Sequence, residues 1–301
     1  MHEPDRANRL DAHQHFWKYD PAEYGWISDE MRAIRRDFLP ADLRAACEDA
    51  GVSGSIAVQA RQTIEETRWL LQLAAGDAFV RGVAGWVPLV KPDVAKDLEE
   101  LAADARLRGV RHVLQDEPDE QYMLRDDFNA GIRTLKRFGL VYDILIYERH
   151  LPQTIEFVDR HPDQLFVLDH VAKPRVAAHE LSPWRERFTE LSRRANVYCK
   201  MSGLLTEADY RKWKEPDVAP YIDVALEAFG PQRLMFGSDW PVLSAAASYS
   251  RWVSIVENAL RALSDAERQR IWRGTAEEAY GLGSTAGEGS RPEAPGKQAV
   301  S

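Results

Sequence analysis

His13 and His15 stand two residues apart in the run Arg9-Leu-Asp-Ala-His-Gln-His-Phe-Trp17. In a β-strand that spacing sends both imidazoles to one face, because side chains alternate with a period of two. Far along the chain, Arg233-Leu-Met-Phe-Gly-Ser-Asp-Trp-Pro241 reads as another buried strand ending on an acid, Asp239, and followed at once by a turn. Two imidazoles on one inward face crowd a core unless a site uses them. A carboxylate entering such a core without partners faces a desolvation cost of several kcal/mol. Imidazoles and a carboxylate at strand ends can exchange protons and polarise bonds, so the pattern points to a polar catalytic centre.

The elements that must hold these groups are short apolar, β-branched runs separated by stretches with helical spacing. The expected strands are Arg9–His15, Ser55–Gln59, Val80–Pro88, Val110–Gln115, Leu140–Ile146, Leu165–His170, Val197–Ser202 and Arg233–Asp239. The expected helices are Pro40–Ala50, Thr63–Ala75, Pro92–Ala105, Arg125–Arg137, Pro152–His161, Trp184–Arg194, Ala219–Phe229 and Tyr249–Leu263. Gly51, Gly76, Gly109, Gly139 and Gly230 fall just past these helices, where helix ends favour glycine. The repeat is roughly thirty residues, the size of one unit of a (β/α)8 barrel. A doubly wound open sheet also alternates strand and helix, but no GxGxxG follows the first strand. The expectation is one (β/α)8 domain over residues 8–283, with Lys18–Phe38 capping the barrel mouth. The polar, Gly/Pro-rich segment 284–301 is expected to be a disordered tail.

Chemistry in such barrels sits at the C-terminal ends of the strands. That places His13 and His15 at the first strand, Gln59 at the second, Trp86 at the third, and His112 and Gln115 at the fourth. Asp143 and Tyr147 belong to the fifth, His170 and Lys173 to the sixth, Lys200 and Ser202 to the seventh, and Asp239 and Trp240 to the eighth. His150 and His161, beside helices, read as surface residues. Trp17, Trp86 and Trp240 read either as packing or as faces for a sugar ring.

Composition narrows the class. The 301 residues are 45% hydrophobic and 29% charged, and carry a net charge of -9. With a pI near 5.5 and no clustered cations, a nucleic-acid partner is excluded. No apolar run is long enough to span a bilayer, and the first ten residues lack the apolar core of a signal peptide. Cys47 and Cys199, with no CxxC, read as buried structural thiols in a reducing cytoplasm.

Five motifs in order carry a family resemblance: DAHQHFW at the first strand, GVRHVLQDEPD at the fourth, LDHVAKP at the sixth, YCKMSGL at the seventh and FGSDWPV at the eighth. Together, over roughly residues 8 to 283, they resemble the amidohydrolase superfamily in its sugar-lactonase, L-fuconolactonase-like branch. The resemblance implies a (β/α)8 barrel that opens the cyclic ester of a sugar-acid lactone, with His13, His15, His170 and Asp239 at the functional positions. Members that hold divalent ions add a fifth-strand histidine, whereas the fifth strand here carries Asp143. The expectation is therefore either no required cofactor or one weakly bound zinc on His13, His15 and Asp239.

Lactone hydrolysis needs a base for the attacking water, polar groups at the developing oxyanion, and an acid for the leaving alkoxide. Asp239 is the candidate base, and His170 with His13 or His15 the candidate polarising groups, aided by Lys173 or Lys200. Candidate substrate-binding residues are Gln59, Trp86, His112, Gln115, Lys173, Lys200 and Trp240. Two other readings share these residues: a metal-dependent amidase or decarboxylase, and a sugar-binding barrel without catalysis.

Overall fold

The computed structural model describes residues 8–283, so the expected tail over 284–301 lies outside the described residues. Eight strands form one parallel sheet in chain order: β1 (Arg9–Gln14), β2 (Val52–Val58), β3 (Val80–Gly85), β4 (Leu107–His112), β5 (Val141–Ile144), β6 (Phe166–Leu168), β7 (Val197–Met201) and β8 (Leu234–Phe236). The last strand returns to the first through the Gln14–Trp240 bridge. The Asp239 amide donates to the His13 carbonyl at 2.8 Å and the His15 amide to the Trp240 carbonyl at 2.7 Å. The sheet is thereby a barrel, and the catalytic candidates of β1 and β8 lie on its closing seam.

Helices α1 (Pro40–Cys47), α2 (Ile64–Gly76), α3 (Val94–Leu101), α4 (Asp126–Leu135), α5 (Leu151–Asp159), α6 (Trp184–Leu191), α7 (Glu215–Arg233) and α8 (Tyr249–Ala259) follow the strands in turn, and α9 (Asp265–Gln269) and α10 (Thr275–Ala279) are the last helices among the described residues. Among the described residues no helix is long and apolar enough to cross a membrane. Helix α7 begins four residues before the expected Ala219, and its regular path breaks at Gly230, whose φ is 61°. Gly51 and Gly139 also take the left-handed conformation expected after a helix. Gly109 does not: it lies inside β4, where a Cβ would come within 3.2 Å of the Val141 carbonyl oxygen. Close approach of β5, not helix termination, explains that glycine.

Alternation along the strands sorts side chains between barrel interior and helix layer. Leu10, Ala12, Ile56, Val58, Val141, Val167 and Tyr198 pack together inside, joined by Tyr280 and Leu282 from the C-terminal end. The intervening residues face the helices in the larger apolar layer, which includes Ala57, Tyr142, Phe166, Leu168, Cys199 and Met201. Cys47 and Cys199 are buried free thiols. His150 and His161 are buried as well, at 1% and 5% exposure, contrary to the surface placement expected of them. His161 Nε2 pairs with Asn129 Oδ1 at 2.7 Å, and His150 Nδ1 accepts from the Tyr147 amide before α5. An amphipathic helix end turned inward is filled as readily by a hydrogen-bonded imidazole as by an apolar residue.

The β1–β2 register slips between Asp11 and Gln14. Asp11 turns to the helix layer, where it accepts from the Ser238 amide (2.9 Å), Ser238 Oγ (2.6 Å) and Tyr249 Oη of α8 (2.9 Å). These bonds pin β1 to the turn after β8. Burial pushes the Asp11 carboxyl up to about 6 against their opposing pull.

Candidate active site

The polar interior begins with a layer of ions beneath the mouth. Lys200 of β7 is fully buried, with Nζ 2.5 Å from Asp143 Oδ2, 3.0 Å from Asp169 Oδ1 and 3.2 Å from His13 Nδ1. Tyr280 Oη also donates to Asp143, at 2.8 Å. Arg111 of β4 reaches Asp169 Oδ2 at 3.1 Å and the side-chain oxygen of Gln59 at 3.2 Å, and it also donates to the Gln59 carbonyl. Burial alone would raise the Asp169 carboxyl. Lys200, His13 and Arg111 outweigh it and hold Asp169 well below the usual range, whereas at Asp143 burial outweighs Lys200 and raises the carboxyl.

Above this layer, His13, His15, His170 and Asp239 converge. His13 Nδ1 lies 3.2 Å from Asp169 Oδ1, and Arg111 Nη1 lies 3.3 Å from His13 Nε2. Guanidinium and ammonium only donate, so Arg111 at Nε2 and Lys200 at Nδ1 each present hydrogen to His13, with Asp169 beside Nδ1. His15 Nδ1 lies 2.8 Å from the Val58 carbonyl, which only accepts, so this nitrogen carries hydrogen. His15 Nε2 then meets His13 Nε2 at 3.2 Å and Asp239 Oδ1 at 3.2 Å. Two imidazole nitrogens and a carboxylate oxygen gathered this closely share a hydrogen or a cation among them. A cation therefore fits the chemistry of this donor set. The ligating group that brings one atom each within 4.8 Å is His13, His170 and Asp239, with His170 in the place expected of His15.

His170 reaches the site through an uncommon backbone. His170, Val171, Ala172 and Lys173 all have positive φ, between 46° and 62°. Left-handed conformation is costly for residues with a Cβ, especially β-branched Val171, and persists where surroundings over-determine it. Here the Trp184 indole donates to the Val171 carbonyl, Val171 and Ala172 are buried, and His170 Nδ1 pairs with Ser202 Oγ at 2.9 Å. Gly203, itself left-handed, leaves room for the imidazole: a Cβ there would lie 2.6 Å from His170 Nδ1. Burial pushes the His13 and His170 imidazoles far below their ordinary range, so both are neutral near pH 7. Asp239, with φ 60°, stays below the usual carboxylate range, because His170 and His15 outweigh the opposing effect of burial.

These groups open into a cavity of about 540 Å³. Of the residues expected at the site, His15, Gln115, His170, Lys173 and Asp239 line it, and His13 lies just beneath. Gln59 and Lys200 belong to the buried ion layer below the wall. Trp17 and Trp240 pack around Phe38, and the His112 ring stacks on Tyr122 and meets Phe128 of α4 while accepting from the Trp86 indole. His112, Trp86 and Trp240 are thus turned from the cavity, because His112 pairs in register with outward Ile144 while its neighbour Arg111 pairs with inward Asp143. Sequence reading passed over Arg111 and Asp169, although strict alternation next to inward Gly109 and Val167 marks them. It also passed over Trp26 of the Lys18–Phe38 cap, which lines the cavity at 43% exposure.

The family model for amidohydrolases matches residues 10–282. An L-fucono-1,5-lactonase of Burkholderia multivorans is 44% identical over 287 residues, covering 92% of this chain and 97% of that protein. An L-fucono-1,5-lactonase of Burkholderia ambifaria is 37% identical, covering 93% and 98%. A crystal structure of an amidohydrolase from Burkholderia multivorans with bound zinc superposes with a TM-score of 0.89 at 44% identity, covering 92% of this chain and all of that one. With a barrel closed at β1 and β8, imidazoles and an acid on that seam, and a family match along nearly the whole described chain, the protein belongs to the amidohydrolase family.

Proposed function

We propose that the protein hydrolyses a sugar-acid lactone of the L-fuconolactone type to the open aldonic acid. The observation that carries this reading is Asp239: an ionised carboxylate at the cavity wall, 3.2 Å from His15 Nε2 and 3.9 Å from His170 Nε2. Asp239 takes the proton of a water whose oxygen attacks the lactone carbonyl. The ring C–O bond then breaks, and the proton passes to the leaving alkoxide. His170 and Lys173 are three residues apart on the left-handed turn and both line the cavity, where they offer polar hydrogen to the carbonyl oxygen as charge develops. Asp169, Lys200 and Arg111 surround the His13 ring from below and hold it in place beneath the cavity.

A zinc ion would be held by His13, His170 and Asp239, with His15 Nε2 beside them, and would act as a Lewis acid toward the carbonyl or the water. The fifth-strand acid cannot join that set, since Asp143 is engaged by Lys200 and Tyr280.

The test is turnover of matched lactones by the purified protein before and after exhaustive chelation, with zinc content measured in parallel. Polyhydroxylated five- and six-membered aldonolactones are expected to exceed butyrolactone and valerolactone by about a hundredfold in kcat/KM, with a large part of the rate surviving chelation. Equal efficiency on bare rings would remove the sugar assignment. Complete loss restored by stoichiometric zinc would make the ion obligatory.

A further inference from the structure

The wall of the cavity opposite the catalytic seam is the turn between β4 and α4, residues 113–117, and its polar atoms are arranged to accept hydrogen. The Trp86 indole reaches His112 Nδ1 at 3.2 Å. Indole only donates, so Nδ1 accepts and the ring hydrogen is on Nε2, which donates to Glu117 Oε1 at 2.6 Å. The imidazole is clamped face to face on Tyr122 at 5.2 Å and 4°. One Glu117 oxygen is thus tied back to the barrel wall. The other has no hydrogen-bond partner among the described residues, and Glu117 lines the cavity.

Gln115, two residues earlier, also lines the cavity, and its Oε1 is buried without a partner. The turn that carries both is fixed at the backbone: the Val113 amide donates to Gln62 Oε1 at 2.8 Å, and the Gln115 amide to the Leu145 carbonyl at 3.1 Å. A buried acceptor with no donor is costly, so a preformed wall of such atoms selects ligands that bring donors.

Each cation of the cavity already faces a protein carboxylate. Arg61 pairs with Glu23 of the cap, Arg111 with Asp169 at 3.1 Å, and Lys173 faces Glu207 at 3.5 Å. A carboxylate on the substrate would have to share each of these with the acid it faces, and would meet Asp116 and Glu117 on the turn.

We infer that the 113–117 turn reads substrate hydroxyls, with Glu117, positioned by His112, and Gln115 as the specificity-determining acceptors that favour uncharged polyols over ring-carboxylated lactones. The inference rests on the lactone reading above and names which wall of the cavity enforces it. Hydroxyls satisfy both acceptors. Ether oxygens and carboxylates cannot, and the second is repelled as well. His112 acts through Glu117 and is a positioning residue.

The experiment compares kcat/KM for an aldonolactone, for its analogues lacking one ring hydroxyl at a time, and for a matched lactone carrying a ring carboxylate. In the unaltered protein the carboxylated lactone should be at least about a hundredfold poorer than the neutral one. Glu117→Ala should reduce the preference for the hydroxylated ring over one particular deoxy analogue by about tenfold, and should narrow the discrimination against the carboxylate. His112→Phe, which keeps the ring stack and loses the Nε2 hydrogen, should shift the same preference through KM rather than kcat. Equal losses on all three substrates in Glu117→Ala, or a His112→Phe effect confined to kcat, would overturn the assignment. If the unaltered protein turns over no lactone, the reading of the reaction fails. The wall is then judged by calorimetric titration with a polyhydroxylated lactam of the same ring: about tenfold weaker binding in Glu117→Ala supports it, and an unchanged Kd overturns it.

Discussion

The barrel holds two polar layers, one above the other, both built from ionisable side chains but differing in how far their hydrogen bonds are already made. In the lower layer Lys200, Asp143, Asp169, Arg111 and Tyr280 answer one another, and Lys200, Asp143 and Asp169 are fully excluded from solvent. In the upper layer Asp239, His15 and His170 touch one another but also face a cavity, and left-handed backbone at residues 170–173 and 239 holds them there. The lower layer is a foundation whose cations and acids face one another. The upper layer keeps unfilled bonding capacity in strained positions, as the proposed lactone hydrolysis requires.

Breaking the foundation should cost most. Lys200→Met leaves Asp143 and Asp169 buried beside an apolar chain, and removing one partner of a buried ion pair typically costs about 3–5 kcal/mol. Thermal unfolding should show a drop of roughly 5–9 °C for a domain of this size. An unchanged melting temperature would mean that the lower layer is not the foundation described.

The upper layer should show the opposite signature. Asp239→Asn is expected to fold with little change in melting temperature and to lose about a hundredfold or more in kcat, the usual scale for a general base. Near-normal turnover of a lactone by the folded variant would take the base away from this residue.

Gly203→Ala probes the strained turn without replacing a proposed catalytic group. The new Cβ would meet His170 at 2.6 Å on a backbone with φ +69°. The expected result is a loss of about 1–3 kcal/mol in stability together with roughly tenfold lower kcat, as the imidazole is displaced. A stability loss with unchanged kcat would show that the position of His170 is unimportant for turnover.

The smallest effect concerns acid. Burial pushes the His161 imidazole down to about 4, and those of His13 and His170 well below the ordinary value, whereas in the unfolded chain histidine titrates near 6.5. Between these values the unfolded chain binds protons that the folded one refuses, so stability should fall as pH drops from about 6.5 toward 4. Melting temperatures measured across that window check the slope, and His161→Gln should flatten part of it. A flat profile would contradict neutral buried imidazoles.

Much of this was legible in the chain itself. Alternating apolar runs and helical stretches at a thirty-residue repeat identify the barrel, because each unit must bury one face and does so locally. His13, His15, His170 and Asp239 stand out because ionisable groups in strand-end positions are costly without a purpose. The choice between neighbours was harder. His112 looked like a site residue and Arg111 did not, yet register with β5 turns Arg111 inward and leaves His112 to hold Glu117 from behind. The bulge in β1 sends Asp11 outward and His13 inward, although both are odd-numbered positions of one strand. Trp26 reaches the cavity only because the cap folds over the mouth. Residue type and local periodicity determine which elements form and which groups are chemically capable. Which of two adjacent side chains enters the interior depends on strand register and chain closure between residues far apart in sequence, and only the tertiary structure decides that.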